Sequence, residues 1–123
     1  MKKKNDIPEM TQLLTREEFK KYTFARTNGK CCCPGCTNDA VDAHHILDRK
    51  LWKDNGYYLS NGASLCATCH LKAEHGEYTP KDMLDFMQIK KEDLLVPDSL
   101  SEYLTRDEYI ELLFSEKLDK WGK

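Results

Sequence analysis

Cys33-Pro34-Gly35-Cys36 and Cys66-Ala67-Thr68-Cys69-His70 are the stretches whose reading decides the fold. They form two C-x-x-C pairs with 29 residues between them. A C-x-x-C turn points both sulfurs to one side, and two such turns complete a tetrahedron of thiolates, the geometry zinc prefers. Four protein ligands leave no coordination position for water or substrate, so the site reads as a structural zinc. The expected ligands are Cys33, Cys36, Cys66 and Cys69. The run Cys31-Cys32-Cys33 leaves an alternative open, because Cys32 stands three intervening residues before Cys36. Cys31 and Cys32 otherwise read as small packing residues or spare thiols.

Composition supports metal over disulfides. The chain has 123 residues and a mass of 14.3 kDa, one domain's worth. No apolar run approaches the ~20 residues that span a bilayer. Met1-Lys2-Lys3-Lys4-Asn5-Asp6 is basic but leads into no apolar stretch, so it does not read as a secretory leader. A cytoplasmic location is expected, and there paired cysteines read as metal ligands before they read as disulfides. A core this thin also gains from a structural metal.

Net charge is −2 and pI about 6.1, which excludes a uniformly basic protein that coats nucleic acid through bulk charge. The charge is uneven. Residues 1–53 carry 11 Lys/Arg against 7 Asp/Glu, and residues 54–123 carry 8 against 14. A polyanion would meet the first half more readily than the second.

Outward from the cysteines, the chain reads as a single domain, 1–123. Thr15 and Glu18 form a capping box that opens a helix over about 15–26, with Phe19, Tyr22 and Phe24 as its apolar side. Residues 41–46 and 61–65 read as short strands. Between them lies a charged connection in which Arg49, Lys50, Trp52 and Lys53 stand either as a solvated loop or as contacts to phosphate and sugar. Residues 66–74 read as a helix closed by Gly76. A helical extension over about 79–121 starts at Thr79-Pro80 and again at the Thr105/Glu108 capping box. Its Met83, Leu84, Phe86, Met87, Tyr109, Ile110, Leu112 and Leu113 fit a helical period and are expected in the core. Trp121 reads as a tail anchor or a free side chain.

Four histidines accompany the cysteines. His44 and His45 are adjacent, so on a strand they point to opposite faces and serve different ends. His70 follows Cys69 directly, about 100° further around a helix, so one faces the zinc and the other a second site.

Taken together, Cys33-Pro34-Gly35-Cys36, Asp42-Ala43-His44-His45-Ile46 and Asn61-Gly62-Ala63-Ser64-Leu65-Cys66-Ala67-Thr68-Cys69-His70 resemble the HNH endonuclease family. The resemblance covers about 31–76. It implies an α+β fold: a small ββα-metal, treble-clef-like core stapled by zinc, flanked here by N-terminal and C-terminal helices. It implies a metal-dependent endonuclease that hydrolyses phosphodiester bonds, with DNA favoured over RNA. By position, His45 corresponds to the general base that activates water and Asn61 to the middle asparagine that holds the loop and the base. His44 and His70 correspond to ligands of a catalytic divalent cation. Magnesium or manganese is expected there, with nickel, cobalt or zinc also compatible with imidazole. The family's further ligand, four residues along the helix, falls on Glu74, and His75 is one residue out of register.

Two other readings compete. A zinc-stapled module that binds nucleic acid or protein without catalysis needs the four cysteines but has no use for the histidine–asparagine set. A redox or zinc-storage protein accounts for the cysteine run and for none of the histidines. The acidic C-terminal half argues against tight unaided DNA binding and leaves a dimer or larger assembly open.

Overall fold

The computed structural model describes residues 7–115. Among these, five α-helices and one two-stranded antiparallel sheet make a small mixed α/β protein. Helix α1 spans Arg16–Ala25, strand β1 Asp42–His45, strand β2 Gly62–Leu65 and helix α2 Ala67–Glu74. Helices α3 (Pro80–Phe86), α4 (Asp98–Ser101) and α5 (Arg106–Phe114) follow. Among the described residues no helix is long and apolar enough to cross a membrane.

The helix starts follow the local chemistry. Thr15, Thr79 and Thr105 each accept a hydrogen bond from the amide three residues on, and the carboxylates of Glu18, Asp82 and Glu108 accept one in turn from the cap amide. Cys66 caps α2 in the same manner, its sulfur accepting from the Cys69 amide at 3.4 Å.

The strands pair Asp42 with Leu65, Ala43 with Ser64, His44 with Ala63 and His45 with Gly62. Alternation then sorts the sheet. Gly62 and Ser64 face α1: Ser64 Oγ donates to the Thr23 carbonyl at 2.9 Å. A Cβ on Gly62 would stand 2.6 Å from Thr23 Oγ1 and 2.9 Å from the Phe19 ring, so α1 seats this closely only over a glycine. Phe19 joins Leu14 and Leu59 in a small core on that side. Ala63 and Leu65 face the other way, into the main core with Ile46, Leu47, Met83, Leu84, Tyr109 and Leu113.

The helical extension therefore supplies much of the core, as its periodicity predicts: Met83, Leu84, Met87, Tyr109 and Leu113 are all buried. Phe86, Ile110 and Leu112 are only half-buried. Trp121 lies outside the described residues. Trp52 corrects the reading of its loop. It is buried against the main core, and Gly56, at φ +70°, folds back so closely that a Cβ there would meet the indole at 2.6 Å. Arg49, Lys50 and Lys53 stay exposed.

Candidate functional site

The first site is the cysteine cluster. A hairpin closes at the Lys30–Asp39 bridge, where the Cys31 amide donates to the Asn38 carbonyl. Its tip turns through Cys33 to Cys36, with Gly35 at φ +78°. The start of α2 brings Cys66 and Cys69 against it. The sulfurs of Cys31, Cys36, Cys66 and Cys69 all lie within 4.8 Å of one another, close enough to hold a metal ion such as zinc. Zn–S bonds of about 2.3 Å in a tetrahedron put sulfurs about 3.8 Å apart; Cys36 and Cys66 are separated by 3.8 Å.

Cys31 takes the place expected of Cys33. The reason is tertiary: pairing at the hairpin base aims Cys31 into the cluster, a direction that C-x-x-C spacing does not encode. Cys33 packs beside the quartet, hydrogen-bonded with Cys31, Cys69 and Tyr78, and burial pushes its thiol up. The Cys69 amide, aided by Asn38, pulls the Cys66 thiol down to about 6, which favours the thiolate a metal needs.

The second site is an open groove of about 450 Å³ along the free edge of β1. Because the groove wraps that edge, it receives side chains from both faces of the strand. Asp42 and His44 turn toward α2, where the His44 and His70 rings meet edge-on with centroids 5.1 Å apart. Ligand atoms of Asp42, His44 and His70 all lie within 4.8 Å of one another, a donor set of carboxylate and imidazole that fits a divalent cation. His70 Nδ1 is 3.0 Å from Asp42 Oδ2, and its Nε2 is 2.9 Å from Glu74 Oε2. His75 caps the end of α2, exposed and outside both clusters.

His45 turns the other way. Its ring stacks on Phe19 with centroids 4.9 Å apart and tilts against Tyr57 at 5.2 Å. Burial, first, and the nearby Arg49 and His44 charges hold its pKa down to about 4, against a backbone hydrogen bond to Asn55 that raises it. The ring is therefore neutral at pH 7, and its buried Nε2 makes no hydrogen bond among the described residues. Burial likewise lowers the pKa of His44, helped by His70.

Asn61 stands behind this wall, 3% exposed. Its carbonyl accepts from the Leu47 amide at 2.8 Å, and its amide donates to the carbonyls of Leu47 at 3.1 Å and Gly56 at 3.3 Å. It thus ties the end of β1 to the loop that carries Asn55. Arg16, Lys20 and Arg49 line the groove with Asp48 and Glu74.

The groove brings together His44, His45 and His70, with Asn61 buttressing them. Several contributors escaped the sequence reading, among them Asp42, the Asn55 backbone, Phe19, Tyr57, Arg16 and Lys20. Asp42 carried a usable signal, because it stands two residues before His44 and so shares its strand face. The others come from distant segments and carried none. Comparison of the chain with protein-family models, with curated proteins and with solved structures finds no match.

Proposed function

We propose that this chain is a metal-dependent endonuclease of the HNH kind, hydrolysing phosphodiester bonds in DNA. One observation carries the reading: a neutral, half-buried histidine with a free ring nitrogen stands beside a carboxylate–imidazole cluster in one groove that also holds Arg16, Lys20 and Arg49. A binding module would have no use for that combination.

The residues divide the work. Arg16, Lys20 and Arg49 attract and seat the phosphate backbone, which positions the strand without reading its bases. His45 is the general base. As a water oxygen bonds to phosphorus, Nε2 takes its proton and the bond from phosphorus to the 3′ oxygen breaks. Nε2 is shut off from bulk water, so the side chains lining the groove must shift to admit the substrate water. The Asn55 backbone holds the ring, and Asn61 holds the loop that presents it. Asp42, His44 and His70 would hold the cation. When bound, a divalent ion supplies positive charge for the scissile phosphate and the departing oxygen. The four-cysteine cluster, with zinc, would serve as the structural staple that fixes α2, and hence His70, against β1.

The test is nicking of supercoiled plasmid by zinc-loaded wild type and by His45→Ala, with magnesium, manganese, cobalt or nickel and with EDTA. Metal-dependent nicking by wild type, reduced at least ~100-fold in His45→Ala, is expected, since general-base catalysis is worth about 10²–10⁴. No cleavage by folded, zinc-loaded wild type with any metal would return the chain to the binding-module reading.

A further inference from the structure

His70 resolves which side chain completes the cation site. An imidazole gives an ion one ring nitrogen, and the other nitrogen usually donates its proton to a carboxylate or carbonyl that fixes the ring. Here each nitrogen faces a different carboxylate: Nδ1 faces Asp42 and Nε2 faces Glu74. The two carboxylates therefore cannot play the same part.

Position separates them. Asp42 Oδ2 lies 3.0 Å from His70 Nδ1. Two ligand atoms each about 2.1 Å from a six-coordinate ion, at right angles, are about 3.0 Å apart. Asp42, His44 and His70 form one cluster with all ligand atoms within 4.8 Å, and Glu74 is not part of it. Glu74 sits instead at the opposite edge of the His70 ring, one helical turn on, where an i,i+4 pair naturally meets. Asp42 arrives from β1, on the strand face it shares with His44.

The geometry points to Asp42 as the third protein ligand beside His44 and His70, with Glu74 as a positioning residue that accepts a hydrogen bond from His70 Nε2–H and so leaves Nδ1 free for the ion. This assignment rests on the groove being a metal-dependent site. It adds a hard carboxylate oxygen to two imidazoles, which moves the preference toward manganese or magnesium and away from nickel or zinc. Three protein ligands on a six-coordinate ion leave three positions for phosphate oxygens and water.

Manganese binding to the zinc-loaded chain tests it. Manganese favours oxygen-rich sites and does not compete for the thiolates. Affinity is read by electron paramagnetic resonance and the number of coordinated waters by water-proton relaxation, for wild type, Asp42→Ala, Asp42→Asn and Glu74→Gln. Circular dichroism and zinc content check each fold, and the isosteric Asp42→Asn stands in where alanine disturbs β1. The Asp42 variants should lose more than about 100-fold in affinity, and any ion Asp42→Ala retains should carry one extra water. Glu74→Gln should lose roughly 10-fold, the low end for an outer carboxylate, with the water count unchanged. An extra water in Glu74→Gln, or unchanged affinity in Asp42→Ala, overturns the assignment while leaving the nuclease reading in place. Wild type that binds no manganese, cobalt or nickel beyond its zinc removes the metal-dependent reading and the assignment with it.

Discussion

His45 and Asn61 show how far one residue's environment sets its chemistry. His45 has a folded pKa of about 4, below the ordinary 6.5. Between those values the unfolded chain binds the proton that the folded chain excludes. The contribution of His45 to stability should therefore be level above pH 6.5 and fall as pH drops from 6.5 toward 4. Urea titrations at pH 7.5, 6.5, 5.5 and 4.5 should show this decline, and His45→Gln should make it shallower. An identical slope in the variant would mean that His45 is not the group responsible. Asn61 teaches a different lesson. Asn61-Gly62 read alone is an ordinary turn dipeptide. Its buttressing role depends on Leu47 and Gly56, residues 14 and 5 positions away, whose backbone groups only the folded chain delivers.

At the scale of elements, what is local was legible and what is remote was not. The capping boxes at Thr15, Thr79 and Thr105 lie within four residues, and each opens a helix where the sequence places one. The alternation of His44 and His45 is a property of any strand, and the two side chains do part: one to α2, the other to α1. The seating of α1 on β2 is another matter. It hinges on Gly62, whose φ of −119° any residue can adopt, so the constraint there is steric. Gly62→Ala should push Thr23 and Phe19 off the sheet and cost about 1–3 kcal/mol, the usual range for overpacking. Thermal denaturation reads that cost. Because Phe19 stacks on His45, nicking should weaken in the same variant. A variant as stable as wild type would mean that α1 gives way without loss.

For the whole molecule, the cysteine cluster and the helical extension converge on one sheet. The quartet ties the hairpin at 30–39 to the start of α2, while α3 and α5 close the main core beneath β2. A metal ion held by the quartet would therefore couple its binding to folding, as in small metal-stapled domains. Zinc analysis of two variants tests which thiol belongs to the quartet. Cys31→Ser should lose most of its zinc and with it the cooperative unfolding transition. Cys33→Ser, whose side chain packs outside the quartet, should keep one zinc per chain. The reverse pattern would restore the C-x-x-C pairing read from spacing.

Sequence by itself determined the elements and the parting of His44 and His45 to opposite faces of their strand, because caps, strand alternation and helical periodicity act over a few residues. Only the tertiary structure decided which of three adjacent cysteines joins the quartet, that Trp52 belongs to the core, and that Asp42 and Glu74 take opposite edges of His70. Those outcomes depend on where the hairpin at 30–39, the loop at Gly56 and helix α2 come to rest against β1. Side-chain direction at such junctions is set by packing between segments far apart in the chain, and spacing along the chain does not carry it.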